Sequence, residues 1–255
     1  MQKICIIGDG LSGLTAAAIL SQENIKVDLY SSKVKKIKSN QDGRTTAISE
    51  SNYKYLINKF KFKSIKFFWP SKEVNLFYEN KNKITNFLNL KEKNENLMYI
   101  FKNNDFTTEI NKIISKNKKV KILKKSVNKI NFNEGSVMIG KTSISYNMIV
   151  LCAGANSELY KTIEKNRNIE KNYKEVALTT TIHHNSKIRN ASQYFLNEGP
   201  LAILPFSKKS FSVVWSVNNS TYNKNYKKIK IFLKIKVKAI VNKIKILKID
   251  KIKSY

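Results

Sequence analysis

The sequence predicts an α/β fold in which a parallel-sheet domain is interleaved with a mostly antiparallel sheet domain. Three observations carry that expectation. Residues 1–31 read as strand, glycine turn, helix and strand. Residues 148–152 form a second continuous apolar run. Beyond residue 173 the pattern changes to short alternating strands.

The first unit can be justified residue by residue. Ile4, Cys5, Ile6 and Ile7 are continuously apolar, as a buried parallel strand is. Gly8-Asp9-Gly10-Leu11-Ser12-Gly13 follows, and residues 14–20, rich in Ala and Leu, predict a helix. Alternation over 25–30 predicts a second strand. At this spacing Gly8 permits a tight turn, Gly10 lets the backbone approach a pyrophosphate, and Gly13 lets helix and strand pack closely. Leu11 and Ser12 open the helix, whose free amides and dipole favour an anion. The unit therefore predicts dinucleotide binding. The acid expected at the end of the second strand, where it would hold ribose hydroxyls, is replaced by Ser31.

Residues 31–50 read as a polar loop, 50–59 as a helix, and 65–90 as short strands that include 74–78 and 84–88. Asp105 reads as the N-cap of a helix running through 108–115. Strands at 120–123 and 127–132, a turn at Asn133-Glu134-Gly135-Ser136, and strands at 137–139 and 144–146 predict a small sheet. Strands at 176–183, 193–195, 201–204 and 211–217 predict an antiparallel sheet. The tail from residue 223, almost all Lys, Ile, Val and Asn, reads as one or two amphipathic helices.

Composition narrows the function classes. The 255 residues are 42% hydrophobic, enough for a sizeable core, and 8 Gly, 3 Pro and 2 Cys exclude collagen-like and disulfide-scaffold proteins. The two distant cysteines fit a reduced compartment, and the absence of a signal-like start or of 18 consecutive apolar residues leads to a cytoplasmic expectation. The net charge is +30, yet arginine stands only at Arg44, Arg167 and Arg189. A phosphate-gripping surface uses the bidentate arginine fork. Lys, Asn and Ile share codons of A and T, so base composition accounts for the charge and nucleic acid is not the expected partner. The lysines still suit an anionic membrane surface.

Three later segments complete a pattern with the glycine loop. They are Asp42-Gly43-Arg44-Thr45-Thr46-Ala47-Ile48-Ser49, residues 151–157, and Gly199-Pro200-Leu201-Ala202-Ile203-Leu204-Pro205-Phe206 followed by Val213-Val214-Trp215. In this order the chain resembles the FAD-dependent aromatic hydroxylases of the para-hydroxybenzoate hydroxylase superfamily. It is most similar to the ubiquinone-biosynthesis hydroxylases that modify a polyprenylated phenol.

The resemblance implies a Rossmann-like FAD-binding domain at 1–70 and 98–170. It implies a substrate domain at 71–97 and 171–255, truncated at its C-terminal end because no Gly-Asp motif follows the sheet. It implies ring hydroxylation with O2 through a flavin hydroperoxide, with NAD(P)H or another donor as reductant. It places Arg44 beside the flavin and gives Gly154 a backbone turn near FAD, although the family's Asp is replaced by Ala153. Expected partners are a hydrophobic phenol or quinone precursor, other ubiquinone-biosynthesis proteins, and the inner face of a membrane touched peripherally. Competing readings are an FAD-dependent polyprenyl reductase of the same fold and a basic nucleic-acid or membrane-surface binding module.

No residue is assigned as a catalytic acid or base. Tyr194, Phe195 and Trp215 read as walls of an aromatic pocket or equally as sheet core, and His183, Leu204 and Pro205 join the candidate pocket set. His183 reads as a general base or as a solvated strand residue, and adjacent His183 and His184 must point to opposite faces. No Cys, Asp or Glu stands at ligand spacing from them, so no metal site is expected.

Overall fold

The computed structural model describes residues 1–31, 43–81, 83–154, 157–163, 171–241 and 243–255. By its contacts the chain divides into two units, Met1–Ser39 with Asn104–Glu170, and Asn40–Asn103 with Lys171–Tyr255.

The first unit is centred on a four-stranded parallel sheet. Its order is Met148–Leu151, Gln2–Ile7, Ile25–Tyr30, Val120–Leu123. The middle strands are apolar because both of their faces are covered: Cys5, Ile6, Val27 and Leu29 are all buried. Helix Leu11–Leu20 buries Leu14 together with Gly13, Ala17 and Ala18, three small residues that allow close helix–sheet packing. Helix Asn103–Ile114 buries Phe106, Ile110 and Ile114, one apolar stripe at four-residue spacing. Its start corrects the N-cap expectation. The helix begins at Asn103, directly after strand Met98–Lys102, so Asp105 lies in the first turn and faces the helix dipole there. A three-stranded antiparallel sheet of Lys129–Asn131, Ser136–Ile139 and Thr142–Ser145 completes the unit, as the turn residues predict.

A polar knot sits inside this unit. Asp28 accepts a hydrogen bond from the Tyr146 hydroxyl at 2.8 Å and pairs with Lys3 Nζ at 2.8 Å. The hydroxyls of Tyr30 and Tyr146 lie 2.6 Å apart. Burial raises the Tyr146 pKa, and the neighbouring hydroxyl and carboxylate raise it further, so Tyr146 stays a neutral donor. Burial likewise pushes the Cys5 thiol up to about 12, with the Asp28 charge adding to the effect.

The second unit is dominated by a sheet ordered Ile246–Ile249, Glu175–His184, Ser210–Asn218, Gly199–Ser207, Ala191–Leu196, Glu73–Asn80, Lys83–Lys91. Lys253–Ser254 also pairs with Glu175–His184. All pairs are antiparallel except Ala191–Leu196 with Glu73–Asn80. One face packs under helix Ile229–Ile240 through Leu233, Val237 and Ile240, which meet Leu178, Ile182, Phe211, Val213 and Trp215 in a common core. Thr45–Ser49, Met98–Lys102 and Trp69–Ser71 form a second, three-stranded antiparallel sheet, and Ser49 Oγ caps helix Glu50–Lys59.

Three sequence expectations change here. Residues 45–49 are a strand rather than loop, because five backbone pairs with Met98–Lys102 order a segment whose own residues show no alternation. That pairing also draws 40–70 and 98–103 into the second unit, not the first. The tail does form helices Asn219–Asn225 and Ile229–Ile240, but it ends in two strands that close the edge of Glu175–His184.

An ion cluster fastens the long helix to the sheet. Lys236 Nζ lies 3.1 Å from Glu79 and 2.8 Å from Glu198, and its pKa is raised because these carboxylates outweigh the opposing effect of burial. Lys236→Met is expected to destabilise the protein by about 2 kcal/mol in urea titration, since buried Glu79 and partly buried Glu198 lose their counter-ion.

Candidate functional site

The carboxyl ends of the parallel strands of the first unit open into a cleft of 580 Å³ lined by the glycine loop, Tyr30, Lys125, Ser126, Gly154 and Ser157. Ligands of open parallel sheets bind outside these strand ends.

The three glycines of the loop meet different constraints. Gly8 has a φ of +113°, and a Cβ there would stand 2.1 Å from the Cys152 carbonyl oxygen. A Cβ on Gly13 would stand 1.9 Å from the Gly8 carbonyl oxygen. These two glycines are demanded by the protein's own backbone. Gly10 is different: its φ is −76°, and a Cβ there would meet nothing within 4 Å. Gly10 lines the cleft at the N-cap of helix Leu11–Leu20, and as a glycine it brings no side chain to the first-turn amides. Leu11 is half-buried, Ser12 exposed and Gly13 buried at this helix start. A helix N-terminus that opens on a glycine with space around it is a cradle for an anion.

The remaining walls come from the other strand ends. Gly8 N–H donates to the Tyr30 carbonyl and Cys152 N–H to the Ile7 carbonyl, which fixes the loop between its two neighbours. Gly154 has a φ of +84°, and a Cβ there would meet nothing within 4 Å. Ser31 is buried, with its amide donating to the Leu123 carbonyl. Asp9 and Glu158 also line the cleft, each engaged within the protein. Lys125, Ser126 and Ser157 went unread in the sequence. The signal that finds them is position, two to five residues past the apolar runs at 120–123 and 148–152.

The candidates in the second unit do not converge. Arg44 is exposed, its guanidinium 5.9 Å from the Tyr255 ring centre and its carbonyl accepting from Asn103 N–H. Asp42, in the same motif, lies outside the described residues, as do Ala155 and Asn156 of the Gly154 segment. Trp215 is fully buried, donates Nε1–H to the Gly199 carbonyl at 3.2 Å, and stacks on Phe232 at 5.2 Å. Tyr194 is buried and stacked on Phe77 at 4.6 Å, and burial raises its pKa. Pro205 pairs with buried Phe211. These three occupy the sheet face under the helix and are core rather than pocket wall. Leu204 and His183 lie on the opposite face, because strand residues of unlike parity project to opposite sides.

His183 is held from both ring nitrogens. Nε2 lies 3.2 Å from Asp250 and Nδ1 lies 3.0 Å from Ser210 Oγ. The Asp250 carboxyl is kept low because hydrogen bonds from Lys248 and His183 outweigh the burial that opposes them. His184 points the other way into the core, fully buried beside Phe211, with Nδ1 accepting from Ser186 N–H at 3.1 Å. Among the described residues, no three His, Cys, Asp or Glu side chains form a metal-holding group.

Burial lowers the His184 pKa below 6.5. A base whose pKa is lower folded than unfolded takes up a proton on unfolding. Its stabilising contribution is therefore complete above the unfolded pKa and is lost as pH falls below it. Unfolding free energy is therefore expected to decrease between about pH 7 and pH 5 through this histidine. His184→Gln, which retains an acceptor for Ser186, flattens that slope in denaturant titrations at the two pH values.

Solved structures share this architecture at low sequence identity. No known protein-family model matches the chain, and no curated protein is significantly similar to it in sequence. A tryptophan halogenase from Shewanella frigidimarina superposes with a TM-score of 0.74 at 13% identity, covering 97% of this chain and 62% of its own. A p-nitrophenol 4-monooxygenase from Pseudomonas putida gives a TM-score of 0.71 at 13% identity, covering 100% of this chain and 68% of its own. A Klebsiella pneumoniae HpxO variant in complex with FAD gives a TM-score of 0.66 at 16% identity, covering 86% of this chain and 57% of its own. The chain has the fold of these flavin-dependent enzymes and spans about two thirds or less of their length.

Proposed function

We propose that the chain is the FAD-binding portion of an FAD-dependent aromatic monooxygenase whose substrate is a polyprenylated phenol. The observation that carries the reading is the cradle at Gly10: open space, a helix start with a glycine N-cap and a 580 Å³ cleft at one place. The residues present fit a dinucleotide. The amides at Leu11, Ser12 and Gly13 take the pyrophosphate, Lys125 adds a positive charge at the rim, and Tyr30 supplies a side wall. Ser31 replaces the usual ribose-binding acid, which leaves the anion cradle with the larger share of the binding energy.

FAD, when bound, supplies the two-electron chemistry and the activation of O2 that ring hydroxylation requires. The chain's own residues bind, orient and cover. In the second unit Ala202, Leu204 and Val214 share the sheet face away from the helix and offer an apolar surface to a ring. The polyprenylated substrate class rests on the resemblance of the segment from Gly199 to Phe206, which forms a central strand whose first glycine is obligatory. A Cβ on Gly199 would stand 2.0 Å from the Ser216 carbonyl oxygen.

The test has three readings on the purified chain. Saturable FAD binding, seen in the visible spectrum, with O2-dependent formation of hydroxylated polyprenylphenol supports the proposal. FAD binding with donor oxidation that is indifferent to O2 moves it to the reductases of this fold. No FAD binding, together with steeply salt-dependent retention on nucleic acid, overturns it in favour of a basic binding module.

A further inference from the structure

The edge hairpin of the large sheet exposes an apolar face that the flavin reading does not use. Strands Glu73–Asn80 and Lys83–Lys91 pair antiparallel, and the register shifts between Leu76 and Phe77. That bulge puts Phe87 and Leu88 on the same side. The Phe87 ring lies 6.0 Å from Phe195, which is paired with Tyr78, while Leu88 stands opposite Leu76 and Leu90 opposite Val74. Tyr78, Phe87, Leu88, Leu90 and Phe195 are between 42% and 55% exposed. Five such side chains on one face exceed what scattered surface apolar residues account for.

The charge around the patch identifies what covers it. Lys72, Lys81, Lys83, Lys91 and Lys93 are all exposed on the same hairpin and its flanks. Of the acids there, Glu73 is engaged by Asn75 and Asn190, Glu79 by Lys236 and Glu95 by Lys54, and exposed Glu92 stands between Lys91 and Lys93, so the lysines outnumber the exposed acids. A second copy of the chain would bring a lysine-ended strand and a +30 protein against its like. An anionic bilayer satisfies both features, with acyl chains for Phe and Leu, the interfacial zone for Tyr, and lipid phosphates for the lysines.

We infer that this hairpin is a membrane-docking surface that seats Phe87, Leu88 and Leu90 in the interface of an anionic lipid bilayer. The inference stands independently of FAD binding. It is tested by co-sedimentation of the chain with vesicles of pure phosphatidylcholine and with vesicles that also contain phosphatidylglycerol. Sedimentation velocity without lipid is run in parallel.

The wild type is expected to partition onto the anionic vesicles. Phe87→Ser with Leu90→Ser is expected to weaken partitioning by about tenfold with an unchanged circular dichroism spectrum. Lys81→Glu with Lys83→Glu is expected to weaken it on anionic vesicles by a comparable factor. No partitioning by the wild type overturns the proposal. Partitioning that the Phe87/Leu90 variant leaves unchanged also overturns it and assigns binding to diffuse charge. A dimer in solution that this variant dissolves, without vesicle binding by either protein, overturns it in favour of a second copy.

Discussion

Gly10→Val is expected to abolish detectable FAD binding while the protein melts within a few degrees of the wild type. The backbone at Gly10 has a φ that any residue adopts, and a Cβ there meets no protein atom within 4 Å, so the fold has no objection to a side chain. The branched valine instead fills the space above the first-turn amides. Losing two charge-assisted hydrogen bonds to phosphate weakens binding at least about a hundredfold. Visible-absorbance titration with FAD reads the loss, and thermal unfolding reads the intact fold. Gly8→Ala and Gly13→Ala serve as contrasts. Each drives a Cβ into a backbone carbonyl at 2.1 or 1.9 Å, so both are expected to fail at folding before binding can be measured. Retained FAD affinity in Gly10→Val would mean that the cofactor does not use this cradle.

Trp215→Ala is expected to cost about 3–5 kcal/mol in chemical denaturation. The ring has no exposed surface, stacks on Phe232, and lies between Leu178 and Leu201 across the sheet. Its removal opens a cavity under the helix and takes the indole donor from the Gly199 carbonyl. Leu204→Ala, on the other face of the neighbouring strand, is expected to cost about 1 kcal/mol because that side chain is only half-buried. A pocket-wall Trp215 would show the reverse, a small stability loss with altered ligand affinity.

These two positions show what a linear sequence conveys. The glycine loop is legible because its constraints are local: a tight turn, a helix start and a close packing contact fall within six residues. The pocket set was not, because the face a side chain takes depends on register with strands elsewhere in the chain. Tyr194 stands opposite Leu201, which stands opposite Trp215, and that ladder commits both aromatic residues to the core. His183 gave no sign of its hold on Asp250, 67 residues away. Thr45–Ser49 and Ile246–Ile249 are short strands ordered by partners, and an alternation of Ile and Lys serves a helix surface as well as a strand. Lys125 was legible in principle, since the rule placing ligands at strand ends needs only the ends of the apolar runs.

The opening strand Gln2–Ile7 lies between Ile25–Tyr30 and Met148–Leu151, and Lys3 meets Asn147 across 144 residues. Each unit is assembled from two separated stretches, and the chain passes between them after residues 39, 103 and 170. During synthesis the first strand therefore keeps one hydrogen-bonding edge open until its neighbour has been made. Closure waits on a contact of very high sequence separation, which makes folding slow and leaves an apolar edge available to aggregation or to chaperones. No continuous fragment consists of one whole unit alone. A chain cut between residues 103 and 104 yields halves that each hold part of both units, and they fold only when mixed.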